Sequence, residues 1–267
     1  MTANIVTITS GKGGVGKTTA TANISVALAQ LGQKVVCIDS DIGLRNLDVV
    51  LGLENRIVYD LVDVIEERCR IRQAMIKDKR FNDLYLIPAA QTRDKNAVSP
   101  SDMIAVCDQI VEEFDFILID SPAGIERGFK NAIAPANQVI VVTNPDVSAV
   151  RDADRIIGII EAEEKGPAKL IINRLNPHLI RRGDMLDADD VLDLLAINLL
   201  GIVPEDESVI MSTNNGKPVA TEEKSAAGQA FRNIARRLLG DEVPLLDLNL
   251  KEGIFHKISK IFNTEGD

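Results

Sequence analysis

Hydrophobic positions along the chain fall into two rhythms. Ile5-Val-Thr-Ile-Thr9, Val35-Val-Cys-Ile-Asp39, Leu84-Tyr-Leu-Ile-Pro88, Phe116-Ile-Leu-Ile-Asp120, Val139-Ile-Val-Val-Thr143, Leu170-Ile-Ile-Asn173 and Leu199-Leu-Gly-Ile-Val203 are short, almost unbroken apolar runs. Runs of that length without polar alternation read as strands covered on both faces. Between them the spacing turns helical. Ala20, Ile24, Ala27, Leu28 and Leu31 form one helix face closed by Gly32, and residues 56–77, 101–113, 150–163, 188–196 and 225–239 read as further helices. Strands separated by helices of this length predict right-handed βαβ units. The expected fold is therefore α/β, with a doubly wound, mostly parallel sheet and helices on both faces. Residues 1–240 are read as one domain, 241–252 as a linker and 253–264 as a terminal amphipathic helix.

In such a sheet ligands bind beyond the carboxyl ends of the strands, and the informative polar residues fall there. Ser10-Gly-Lys-Gly-Gly-Val-Gly-Lys-Thr-Thr19 leaves the first strand and opens the first helix. It fits the phosphate-loop pattern G-x-x-x-x-G-K-[ST], with Gly11, Gly16, Lys17 and Thr18 at the fixed positions. The stretch Gly11, Lys12, Gly13, Gly14, Val15, Gly16, Lys17, Thr18 and Thr19 is assigned to nucleotide binding. Its glycines let successive amides turn inward toward phosphate oxygens. Lys17 is placed for the β- and γ-phosphates and the Thr18 hydroxyl for Mg²⁺. Four apolar residues ending in Asp120 match a Walker B strand, whose carboxylate holds Mg²⁺ through a water. Asp39 and Asp41 lie two apart, so on extended chain they share a side. Too acidic to hold phosphate themselves, they suit work on water or metal.

Composition narrows the partners. Forty acidic against 30 basic side chains give a formal net charge of −10 over 267 residues, which opposes non-specific DNA binding. Aromatic residues make up 3% and tryptophan is absent, which argues against a stacking platform for single strands. Cys37, Cys69 and Cys107 show no C-x-x-C spacing and suit a reducing compartment. No apolar run reaches the roughly 18 residues that span a bilayer. A strand begins almost at the first residue, so no leader is expected and the cytoplasm is the expected location.

The terminal segment changes that picture. Ile254, Phe255, Ile258, Ile261 and Phe262 fall on one stripe of a helix, while Lys257 and Lys260 lie beside it. A Phe/Ile stripe flanked by lysines describes a helix lying in an anionic membrane surface. Burying the stripe is worth about 8–15 kcal/mol, ordering some ten residues costs about 15, and two lysines add roughly 2. One tail is thus marginal, and two tails on one dimer gain from effective concentration.

Lys12-Gly-Gly-Val-Gly-Lys-Thr-Thr19 resembles the signature K-G-G-x-G-K-[ST]-[ST] of the deviant Walker A ATPases, the ParA/MinD family. Asp41-Ile-Gly-Leu-Arg-Asn-Leu-Asp48, Gln91-Thr-Arg-Asp-Lys95, Asp120-Ser-Pro-Ala-Gly-Ile-Glu126, Ser148-Ala-Val-Arg-Asp152 and Val203-Pro-Glu-Asp206 are similar to its septum-placing MinD branch. The resemblance implies a P-loop ATPase using ATP and Mg²⁺, with Lys12, Lys17 and Asp41 catalytic: Lys12 reaches across a homodimer and Asp41 orients the attacking water. It implies base contacts from Asn173, Arg174, Pro204 and Asp206, Asp39 in the nucleotide pocket, and a dimer or partner surface including Asp39, Arg45 and Asp152. It also implies a MinC-like inhibitor as cargo, a MinE-like activator, and residence on the cytoplasmic face of the membrane. The main competing reading is a DNA-partitioning ParA-type ATPase, which needs a basic surface. An iron–sulfur electron carrier would need well-placed cysteines, and a non-hydrolysing scaffold would not need Asp41.

Overall fold

The computed structural model describes residues 2–93 and 97–246. Its strands are β1 (Asn4–Thr9), β2 (Val35–Asp39), β3 (Ile76–Lys77), β4 (Leu84–Ile87), β5 (Phe116–Asp120), β6 (Gln138–Thr143), β7 (Lys169–Leu175) and β8 (Asn198–Pro204). They form one sheet in the order β3-β4-β2-β5-β1-β6-β7-β8. Every pairing is parallel except that of β3 with β4. The doubly wound, mostly parallel expectation holds. From β1 the chain first moves toward one edge through β2 and β4. It later returns and moves toward the other edge through β6, β7 and β8, which opens a crevice at the carboxyl tip of β1.

The helices are α1 (Lys17–Gln30), α2 (Leu47–Leu51), α3 (Leu61–Ile65), α4 (Ile71–Ala74), α5 (Pro100–Asp108), α6 (Arg127–Ile133), α7 (Val147–Ala162), α8 (Pro177–Arg181), α9 (Ala188–Leu195), α10 (Glu207–Asn214) and α11 (Ala226–Leu238). On one face of the sheet Ile24 and Leu28 of α1 share a core with Phe231 and Ile234 of α11. The residues from Ala20 to Leu28 are all buried, because α1 lies between the sheet and α11. The other face carries two cores, one around α3 and α5 and one around α7 and α9. β5 is buried along its whole length, which is why its sequence shows no polar alternation.

Two expectations need correction. Residues 56–77 are not one helix. Asp60 caps α3 through a reciprocal box with Asp63 (3.0 Å each way), Glu67 takes a left-handed conformation (φ 57°), and Arg70 begins α4. The chain then turns back as β3 along β4. The second correction concerns the boundary at residue 240. Arg237 donates to the carbonyls of Val243 (2.9 Å) and Pro244 (2.8 Å), and Leu246 packs on the α1–α11 core. Residues 241–246 therefore still belong to the packed body. Residues 247–252 of the expected linker and the terminal helix at 253–264 lie outside the described residues.

Candidate functional site

The loop from β1 to α1 sits in the crevice at the sheet's switch point. Gly14 (φ 78°) and Gly16 (φ 98°) take left-handed conformations that glycine adopts without strain. A side chain on Gly11 would meet the Asp152 carbonyl of α7, and one on Gly16 the Asn173 amide, each at 2.2 Å. At Gly13 and Gly14 a side chain would meet nothing within 4 Å. The loop is thus wedged between α7 and the end of β7, with its outer face open. No side chain caps the start of α1, so its first amides are available to an anion. Gly11→Ala would drive a methyl group into the Asp152 backbone, so the loop must move off α7 and ATP affinity should fall at least tenfold. Isothermal titration checks this, and unchanged affinity would refute the wedge.

β2 and β5 deliver the carboxylates side by side, Asp39 pairing with Asp120 in register. Asp120 accepts from Thr18 Oγ1 (2.7 Å) and Thr21 Oγ1 (3.2 Å). Burial raises the Asp120 carboxyl, while the Lys17 ammonium and the two hydroxyls pull it back. Burial, reinforced by the Asp120 charge, pushes Asp39 up to about 7. Crowded carboxylates beside one buried lysine leave room for a hard divalent cation. No cluster of three or more His, Cys, Asp or Glu side chains suited to a metal occurs among the described residues. Mg²⁺ takes one or two protein oxygens and fills its remaining positions with water and phosphate, and Thr18 Oγ1 beside the Asp120 carboxylate offers such a pair.

Asp39 is fully buried, and its carboxylate accepts from the amides of Asp41 (3.0 Å), Asn46 and Leu47 (3.1 Å each). It thereby folds the loop that carries Asp41. Arg45 also turns inward. Its Nε lies 3.0 Å from Asp48 Oδ2, the two side chains being 15% and 1% exposed, and its φ is 38°. Asp41 lines a small cavity of about 130 Å³ together with Glu126, Arg127 and Asn131.

Lys12 Nζ donates to Ser148 Oγ (2.7 Å) and lies 3.7 Å from Asp146 Oδ1 at the start of α7. Asp152 meets the same loop through its backbone at Gly11. Asn173 Nδ2 donates to the Val15 carbonyl (2.7 Å), and Asn144, with its amide turned to donate, reaches that carbonyl at 3.2 Å. Arg174 is exposed in a left-handed conformation (φ 56°) where β7 slips register against β8.

Pro204 ends β8, and Asp206 joins two helix starts, accepting from Ser208 N (2.9 Å), Ser225 Oγ (2.8 Å) and Ala227 N (3.2 Å). Burial pushes Asp206 up, but the hydrogen bonds from Ser208 and Ser225 outweigh it and hold the carboxyl at about 2. Asp206→Ala should cost about 1–2 kcal/mol as a lost cap. The folded value lies below the unfolded one, so the wild-type advantage is full above about pH 4. It should vanish as the pH falls through about 2, read from urea unfolding at several pH values.

Two contributions were not read from the sequence, Thr21 and the pairing of Ser148 with Lys12, whereas Asn144 is one of the polar residues that the sequence places at the strand tips. Thr21 had a legible signal, since i+3 from Thr18 puts both hydroxyls on one helix face. Lys12 and Ser148 are 136 positions apart, and no local pattern links them. Cys37 and Cys107 are core thiols that burial pushes up to about 12. Ile254, Phe255, Lys257, Ile258, Lys260, Ile261 and Phe262, together with Asp94 and Lys95, lie outside the described residues. Among the described residues no helix is long and apolar enough to cross a membrane.

The sequence model of the CobQ/CobB/MinD/ParA nucleotide binding domain matches residues 6–219. The chain is 55% identical to the septum site-determining protein MinD of Bacillus subtilis over 260 residues, 96% of this chain and 97% of that protein. Its fold is similar to MinD in the MinC:MinD cell division complex of Aquifex aeolicus, with a TM-score of 0.86, 47% identity, and coverage of 92% of this chain and 99% of that one. It is also similar to MinD of Pyrococcus horikoshii complexed with Mg-ADP, with a TM-score of 0.80, 30% identity, and coverage of 90% and 100%. A glycine loop braced on both sides, a hydroxyl–carboxylate pair at its helix and this full-length likeness together place the chain in the MinD family of septum site-determining ATPases, with ATP and Mg²⁺ as cofactors.

Proposed function

We propose that this ATPase works as an ATP-dependent homodimer that resides on the cytoplasmic face of the membrane, carries a MinC-like division inhibitor and is discharged by a MinE-like activator. The observation that supports it best is the state of Lys12. Among the described residues its ammonium meets Ser148 and Asp146 at the start of α7, its side chain being 45% exposed, and exposed pairs are worth no more than about 1 kcal/mol. It can leave that contact at little cost to reach nucleotide on a partner. An inhibitor is consistent with the Aquifex relative, which was solved as a MinC:MinD complex.

In this reading the loop amides and Lys17 hold the phosphates, and Thr18 and Asp120 hold Mg²⁺, Asp120 through water. Held there, Mg²⁺ would supply the positive charge that offsets charge on the phosphates. Asp41, presented by the loop that Asp39 folds, accepts a proton from water and aims it at the γ-phosphate. Asn173 keeps the loop against β7 with its amide nitrogen and offers its oxygen to the base, while Arg174 and the backbone at Pro204–Asp206 enclose the same end. Asp152 and Arg45 border the dimer and partner face. The terminal stripe takes the dimer to anionic lipid.

Truncation after Leu250 tests the membrane part. The packed body closes by Leu246, so folding and ATP-dependent dimerisation should survive. Cosedimentation with vesicles of mixed zwitterionic and anionic phospholipid should fall to background. Phe255→Glu should do nearly the same, and wild-type binding should need ATP and weaken with salt. A truncated chain that still pellets with vesicles would remove the tail from the mechanism.

A further inference from the structure

A groove of about 940 Å³ opens beside the tip of β8. Pro177, Pro204, Met211 and Leu246 give it apolar walls, and Met211 is 60% exposed, with Ile210 beside it at 67%. Its charged lining is mainly acidic: Glu205, Glu207 and Glu222 outnumber Lys217 and Lys224. An open groove of this size, with apolar walls and a charged rim, has the shape that takes the apolar face of a short helix.

The groove's own wall points to the occupant. Leu246 is the last described residue, and 21 further residues follow it in the sequence. The stripe beginning at Ile254 is eight residues on, within roughly 26 Å of extended chain. As a helix, 254–262 is roughly 13 Å long. Lys251, Lys257 and Lys260 carry the charge that answers an acidic rim.

We propose that, off the membrane, the Phe255–Ile258–Phe262 side of the terminal segment folds back into this groove of its own chain. The inference rests on the membrane reading of the tail and deepens it: groove and lipid compete for the same side chains. The groove's inner wall includes Pro204 and Asp206, the loop assigned to the base, so nucleotide and tail meet at one loop. A docked population of nine to one lowers the apparent lipid affinity about tenfold.

The chain contains no tryptophan, so Phe255→Trp supplies a single fluorescent reporter. In the full-length protein without lipid, its emission should be blue-shifted and shielded from acrylamide. Adding Met211→Glu should shift it to the red and raise affinity for mixed anionic vesicles about tenfold in ADP. Glu222→Lys, a surface charge reversal, should act in the same direction. Solvent-exposed emission in every variant overturns the docking, and so does shielding that grows with protein concentration, which would assign the groove to a second copy. Shielding relieved by Met211→Glu with no vesicle binding in any variant would support the docking and overturn the membrane reading instead.

Discussion

Lys17→Ala loses ATP binding by two to three orders of magnitude while the protein still folds. Lys17 is 8% exposed at the start of α1, and its ammonium is the charge that offsets the buried Asp120. The loop's other cation, Lys12, points away toward Ser148 on α7, and in the dimer reading it serves the partner's nucleotide and not its own. Truncating one partner of a close charge pair in a binding site costs about 3–4 kcal/mol, hence the expected factor of about 10²–10³. Titration with fluorescent ATP and ADP analogues, alongside a thermal melt, checks it. Both nucleotides should suffer, because both carry the β-phosphate. A variant that binds either one within threefold of wild type would show that the amides alone hold the phosphates.

Asp41→Ala has the opposite profile. Nucleotide affinity and dimerisation stay near wild type, and the hydrolysis rate measured with vesicles and the activating partner falls about 10²–10⁴-fold, the usual worth of a positioned general base. Asp41 touches the loop scaffold through its backbone: its amide donates to Asp39, and its carbonyl accepts from Leu44 and Arg45. Alanine keeps those bonds, so the loop should hold its shape. Asp39→Ala should not be so clean, because three loop amides lose their acceptor. A wild-type rate in Asp41→Ala would move the base elsewhere on the same cavity, with Glu126 next in line.

Much of this architecture is legible in the chain because the central strands β1, β2, β5 and β6 are covered on both faces, so their runs are almost wholly apolar, whereas the two-residue edge strand β3 leaves no such mark. The phosphate loop is legible because glycine spacing encodes backbone conformation directly. The helix expected over 56–77 fails for an instructive reason. Leu61, Val62, Val64, Ile71 and Ala74 are buried as helical spacing suggests, but they belong to two short helices pressed against the same core. Periodicity reports which residues face inward and not whether the backbone between them is continuous. Asp39 shows a second limit. A carboxylate at a strand tip reads the same whether it faces a ligand or its own following loop, and only the three amide distances decide it.

The wedging of the phosphate loop at both ends has a kinetic consequence. With Gly11 against Asp152 and Gly16 against Asn173, the cradle is held in shape from both sides and has little entropy left to lose when a diphosphate enters. Capture should then be an unimpeded encounter, and ADP, which presents the same two phosphates to the same amides, should enter as fast as ATP. In the proposed reading, what distinguishes the two nucleotides is the span between Asp39 and Leu47, three of whose amides are gathered on the Asp39 carboxylate. The sensing of the third phosphate is thereby separated from the holding of the first two, and residence time, not entry, sets which nucleotide the protein carries.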